Sequence, residues 1–277
     1  MIPFSTTDRL DALPLTIGGL RVDLETEIPE LTPLLRDKYG AFLDDGNEPR
    51  ATVRLIRSTE PEFLPVQPGA WQIHAPREGA HLAFESYFEK GEFDFNTRRG
   101  TLKLAPRGDP ENYLRVLYAH LALDNGGLLL HACGIIRKER GYCFFGPSTF
   151  GKTTIARLSA NDIILSDDLA LVQKQGGRYF IFGVPFRGDL PEAPRTNAVA
   201  PLARLVSLVK ADEVRLEELP APRALAELLS VVPFVMSDSE SRSRVTERLF
   251  DLIRHVPPRA LSFRRDPDFW EVIEAHD

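Results

Sequence analysis

The chain has 277 residues, 43% of them hydrophobic and 27% charged, with a formal net charge of −6. Such a composition supplies a globular core, and the acidic balance excludes a general nucleic-acid binder, which needs a basic surface to neutralise phosphates. No apolar run approaches the ~20 residues required to cross a bilayer, and the start, Met-Ile-Pro-Phe-Ser-Thr-Thr-Asp, lacks the charged and apolar regions of a secretory signal; a cytoplasmic chain with no membrane partner is expected.

Residues 1–110 read as a β-rich region. Short alternating runs at 20–24, 51–56, 71–74, 81–88, 92–95 and 101–104 are separated by Gly, Pro and Asp. One helix interrupts them over 31–42, where Leu31, Leu34, Leu35, Tyr39 and Phe42 recur at helical spacing. Nothing here has catalytic spacing, and His74 and His81 stand alone. The region is expected to choose or position a reaction partner for residues 111–277.

Asp109-Pro110-Glu111-Asn112 marks a helix start, Leu114, Leu117, Tyr118, Leu121 and Leu123 form its apolar face, and Asn125-Gly126-Gly127 stops it. Short apolar strands are expected at Leu128–His131, Ile135–Arg137 and Tyr142–Phe145. The only cysteines, Cys133 and Cys143, fall in these stretches without CxxC or Cys/His spacing, so they read as core residues.

Gly146-Pro147-Ser148-Thr149-Phe150-Gly151-Lys152-Thr153 fits G-x-x-x-x-G-K-[ST] at every fixed position. The glycines permit a tight backbone path that points successive N–H groups at phosphate oxygens. Lys152 places a cation on the outer phosphates, and the Thr153 hydroxyl can ligate magnesium. A helix over Lys152–Leu158, Thr154 included, adds the positive end of its dipole. The expected ligands are therefore ATP and Mg2+.

An apolar run, Ile163-Ile164-Leu165, then leads to Ser166-Asp167-Asp168. A carboxylate at a strand end can hold the metal, and a second can take the proton of an acceptor. Thr153 with Asp168 is the metal pair put forward, although the division of labour between Asp167 and Asp168 stays open. His131 follows three leucines; beside the aspartates its tautomer would be set by a carboxylate, and elsewhere it would be an ordinary core histidine.

Towards the C-terminus, Leu205–Val209 reads as a strand. Leu225, Leu228 and Leu229, then Val245, Leu249, Leu252 and Ile253, suggest two helices, and Leu261-Ser262-Phe263 a last strand. Val209-Lys210-Ala211-Asp212 has Val where a guanine-reading NKxD needs Asn, and Asp167-Asp168-Leu169-Ala170 lacks the glycine of a D-x-x-G switch. Both argue against a GTPase.

Leu-His-Ala at 130–132, the loop 146–153, Ser-Asp-Asp at 166–168 and Val-Pro-Phe-Arg-Gly at 184–188 together resemble the HPr kinase/phosphorylase family and its HPr-kinase-like relatives, which share a core with ATP-type phosphoenolpyruvate carboxykinases. The resemblance covers about residues 112–277. It implies an α/β fold with a mixed-sheet P-loop core. It also implies that His131 pairs with one aspartate, that the other serves at the metal or as base, and that Arg187 reaches the transferring phosphate or the acceptor. The expected activity is ATP-dependent phosphorylation of a hydroxyl on a protein, a peptide or a small molecule, serine above all. A nucleotide-binding regulator and a carboxykinase-like enzyme are the alternatives, and homo-oligomer formation is left open.

Overall fold

The computed structural model describes residues 11–67, 72–147, 149–190 and 192–276; Trp71 of an expected strand and Ser148 of the loop lie outside them. The chain divides into two compact units, Met1–Tyr113 and Leu114–Asp277. Among the described residues no helix is long and apolar enough to cross a membrane.

The first unit holds strands β1 (Asp11–Ile17), β2 (Leu20–Thr26), β3 (Pro49–Arg57), β4 (Ile73–His74), β5 (Arg77–Glu78), β6 (His81–Ser86), β7 (Glu89–Asp94) and β8 (Arg99–Leu104), with helix α1 (Leu31–Tyr39) between β2 and β3. They form one mixed sheet in the order β1-β2-β3-β8-β7-β6-β4, with β5 beside β6. β3 runs parallel to both β2 and β8. Alternation explains the layering: β2 buries Leu20, Val22 and Leu24 and turns Arg21 and Asp23 outward, where they pair at 2.6 Å. Helix α1 buries Leu31, Leu35 and Tyr39. It ends earlier than expected, because Gly40–Phe42 tightens into a 3-10 turn.

The run expected as one strand over 81–88 instead closes at Ser86, where the chain turns into β7. There the Ser86 hydroxyl donates to the buried Glu89 carboxylate, which also accepts the Asp109 N–H at 3.2 Å. Burial pushes the Glu89 carboxyl above its ordinary value.

The second unit begins within helix α2 (Glu111–Asp124). It contains β9 (Gly127–Leu130), β10 (Ala132–Arg137), β11 (Arg140–Phe145), α3 (Lys152–Leu158), β12 (Ile163–Ser166), β13 (Ala170–Gln175), β14 (Arg178–Phe182), β15 (Val199–Lys210), β16 (Arg215–Glu218), α4 (Ala221–Ser230), α5 (Ser239–His255), β17 (Arg259–Phe263) and α6 (Phe269–Glu274). Its sheet is also mixed, in the order β12-β10-β11-β15-β14-β13-β9, with β17 beside β15 and β16 beside β17. The chain is thus a mixed α/β protein with two mixed sheets.

Long β15 joins two halves of this second sheet. Its start pairs antiparallel with β14, and its remainder runs parallel to β11 and then to β17. The halves face one another through Ile181: a Cβ built at Gly134 or Gly141 would lie 3.1 or 2.3 Å from that side chain. Glycine at both places admits the close approach. On the other side of β10 and β11, α3 and α6 cover a core that includes Ile135, Tyr142, Phe144, Ile155, Phe269 and Trp270. The Trp270 indole N–H donates to Ser159 Oγ at 2.9 Å, fastening α6 to the end of α3. Because β11, β15 and β17 run parallel, their carboxyl ends lie together, where open α/β sheets place their ligand sites.

Candidate functional site

At that end the chain leaves β11, makes the loop 146–151 and enters α3. Gly146 and Gly151 adopt φ of 148° and 111°, which need residues free of the usual Cβ restriction, whereas β-branched Thr149 is itself held at a φ of 68°. A Cβ at Gly151 would stand 2.6 Å from the ring of Phe263, at the end of β17. Lys152 opens α3 and is 7% exposed. Its ammonium donates to the carbonyls of Gly146 and Pro147 at 3.1 and 3.4 Å. Burial lowers the Lys152 pKa, and the nearby Asp168 opposes that shift.

β12 ends at Ser166, so Asp167 and Asp168 stand just beyond the strand and not at alternating positions within it. The Ser166 hydroxyl donates to the Phe186 carbonyl at 2.8 Å and accepts the N–H groups of Asp168 and Leu169, both at 3.2 Å. That hydroxyl shapes the turn that parts the two carboxylates. Asp167 is 4% exposed; Oδ1 accepts the Gly188 N–H at 3.0 Å, and Oδ2 has no hydrogen-bond partner among the described residues. Asp168 is held on both oxygens, with Arg115 Nη1 2.5 Å from Oδ2 and His131 Nε2 3.3 Å from Oδ1.

His131 reaches this place by strand pairing. β9 lies antiparallel to β13 with Leu130 opposite Ala170, which sets the next residue, His131, beside the Asp168–Leu169 turn. Its backbone N–H donates to the Val231 carbonyl at 2.7 Å. Burial lowers the imidazole pKa, Lys152 and Arg115 lower it further, and Asp168 works against them. The lowered value favours the neutral ring, whose Nε2 lies 3.3 Å from Asp168 Oδ1.

A cavity of about 210 Å³ brings these groups together. Its lining includes His131, Thr149, Gly151, Lys152, Thr153, Thr154, Asp167 and Asp168, joined by Gly188 and Asp189. Gly146, Pro147 and Phe150 belong to the same turn without lining it; the Phe150 N–H donates to the Pro147 carbonyl at 3.3 Å, and its ring lies 5.9 Å from the Lys210 ammonium. Arg187 enters through its backbone, since its carbonyl accepts Arg115 Nη2 at 2.6 Å. Its neighbours Gly188 and Asp189 line the cavity instead. Arg115 itself, the one site cation unforeseen from the sequence, is the only Lys or Arg of α2. A guanidinium set among Leu114, Val116 and Leu117, here 5.6 Å over the Phe186 ring, is a signal of an anionic partner.

Among the described residues no group of three or more His, Cys, Asp or Glu is arranged to hold a metal ion. Thr153 and Asp168 both line the cavity, a hydroxyl and a carboxylate of the kind that would suit an ion such as magnesium, which usually takes one or two protein carboxylates and completes its shell with phosphates and water.

The family model described as SynChlorMet cassette protein ScmC matches residues 111–276, more than half of the chain. The chain belongs to the ScmC family. The ScmC match contains every residue of the cavity, together with Arg115, and leaves nearly all of the first unit outside it. Comparison with curated proteins finds no match. Among solved structures, the HPr(Ser) kinase/phosphatase from Coxiella burnetii is similar over 53% of this ScmC-family chain and 95% of its own, at 11% identity and a TM-score of 0.30. A likeness that loose carries no argument about activity.

Proposed function

We propose that this ScmC-family chain is a kinase that uses ATP and magnesium to phosphorylate a hydroxyl, with serine in a polypeptide or as the free amino acid as the acceptor class. The observation that carries the reading is the meeting of a buried Lys152 with the unpartnered, buried Oδ2 of Asp167 in one cavity behind a glycine-bounded loop. A buried lysine held against its own loop carbonyls suits a polyphosphate, whose charge would offset its desolvation.

In this reading the loop N–H groups and the start of α3 cradle the phosphates. The acceptor oxygen attacks the terminal phosphorus, its proton passes to Asp167 Oδ2, and the bond from that phosphorus to the β-phosphate oxygen breaks to release ADP. Lys152 balances charge on the phosphoryl oxygens. Asp168 keeps its place between Arg115 and His131, with Thr153 near it in the cavity wall; these two are the side chains that would hold magnesium. When bound, the ion would neutralise phosphate charge.

The test is transfer from γ-labelled ATP to protein, peptide and small-molecule fractions of a lysate. Lys152→Ala and Asp167→Asn should each lower transfer by about 100-fold or more, with Asp167→Asn sparing ATP binding. Tight ATP binding with no transfer, and no sensitivity to Asp167→Asn, would replace the kinase by a nucleotide-binding regulator.

A further inference from the structure

Arg115 holds two parts of the site at once. Its Nη1 lies 2.5 Å from Asp168 Oδ2, and its Nη2 donates to the Arg187 carbonyl at 2.6 Å. The first contact reaches a carboxylate of the cavity. The second reaches the segment 186–189, in the connection between β14 and β15, whose Gly188 and Asp189 line the same cavity.

Every residue of that segment is tied through its backbone. Besides the Arg187 carbonyl, the Phe186 carbonyl accepts the Ser166 hydroxyl at 2.8 Å, the Gly188 N–H donates to Asp167 Oδ1 at 3.0 Å, and the Asp189 carbonyl accepts Arg157 Nη2 at 3.0 Å. A ring of contacts therefore closes: from Arg115 to Asp168, along the chain to Asp167, across to Gly188, and back through Arg187. A Cβ at Gly188 would stand 3.1 Å from Asp167 Oδ2 and 3.0 Å from Asp168 Cβ. Gly188 is not among the glycines with positive φ, so this close approach, and not its backbone conformation, calls for glycine. The segment lies against both carboxylates, and a shift of it would disturb both.

The chemistry of the side chain decides what can fill position 115. A guanidinium presents its N–H groups as a rigid planar fork, whereas a lysine ammonium is a point charge on a flexible stem. Charge alone would serve Asp168; only the fork serves Asp168 and the Arg187 carbonyl together. We propose that Arg115 is a positioning residue: one guanidinium fixes Asp168 directly and Asp167 by way of the segment 186–189, so that the two carboxylates keep a set spacing. The ring itself is independent of any reaction. Its catalytic consequence rests on the kinase reading, in which one carboxylate would hold the ion and the other take the acceptor's proton. A misplacement of about 1 Å between such groups costs about 100-fold in rate.

Arg115→Lys keeps a cation beside Asp168 and breaks the fork. Amide hydrogen exchange of the full chain, without nucleotide, reads the segment directly. The Gly188 amide should exchange faster by about tenfold or more, while the amides of β11 exchange as in wild type. Arg115→Ala should behave likewise, and methylguanidinium added to it should restore protection at Gly188. With γ-labelled ATP, Arg115→Lys should lower kcat by about 100-fold and leave KM for ATP within about threefold. Unchanged Gly188 exchange in both variants overturns the proposal, and so does equal acceleration in β11, which would mean a general loss of stability. Faster Gly188 exchange with an unaltered kcat overturns the positioning role. Faster Gly188 exchange where even wild type transfers no label upholds the ring and removes the kinase reading.

Discussion

Asp167 and Asp168 are neighbours with unequal surroundings, and that inequality is what divides their chemistry. Asp168 meets a guanidinium on one oxygen and an imidazole on the other, whereas buried Asp167 keeps Oδ2 without a partner among the described residues. His131 contributes through its neutral form. Because its folded-state pKa lies below the ordinary 6.5, the unfolded chain takes up the proton first as pH falls. Its contribution to stability is then full above about 6.5 and shrinks as pH drops through that value towards the folded one. Urea unfolding at pH 8 and pH 5 should show wild type losing more stability than His131→Asn between the two, by at most about 1 kcal/mol because the half-exposed ring is screened. Equal losses would mean that the imidazole is not held neutral by its surroundings.

Sequence alone shows the residue types of this site but not who meets whom. Asp167, Asp168, Lys152 and Thr153 are legible because their chemistry depends on local spacing. The pairing of His131 with one aspartate follows only from the family resemblance, and the part of Arg115 from nothing in the sequence, since both depend on the packing of α2 and on the pairing of β9 with β13, across 53 residues between Arg115 and Asp168.

Among the elements, α3 begins and ends where helix signals place it, at Lys152 and Leu158, because the positive-φ glycine before it leaves little choice of register. β13 and β14 go unpredicted, although Gly176-Gly177 between them, with φ of 55° and 83°, is a two-residue hairpin signal. β15 extends beyond its expected bounds because Pro201 is tolerated where the strand pairs only with β14, and Arg204 is carried by its pairing with Tyr142 of β11. The loop before α3 yields the element-scale prediction. Gly151→Ala sets a side chain at φ 111° and drives its Cβ into Phe263, whose ring lies 6.2 Å from that of Phe269 and cannot simply withdraw. The substitution should cost about 1–3 kcal/mol in denaturant unfolding and weaken ATP binding. Phe263→Leu added to Gly151→Ala should recover part of that loss. A Gly151→Ala protein with unchanged stability and ATP affinity would show that the loop does not need its left-handed turn.

For the whole molecule, all cavity residues belong to the second unit, and the ScmC match begins with α2. The first unit has its own sheet, its own core of Leu13, Val22, Val53, Phe84, Phe93 and Leu102, and an outward face of cross-strand charges such as Arg54 with Glu27 and Lys90 with Glu85. As part of the kinase reading, we propose that this unit chooses or positions the acceptor. The contact boundary falls inside α2, so a dissection must keep that helix entire, with the Asp109 carboxylate that accepts the Glu111 N–H at 2.8 Å. A fragment spanning 106–277 should fold cooperatively and bind ATP within about threefold of the full chain, a difference below 1 kcal/mol. It should lose phosphorylation of the natural acceptor while keeping any slow transfer to free serine. Unchanged use of the natural acceptor by the fragment would move acceptor choice into the second unit.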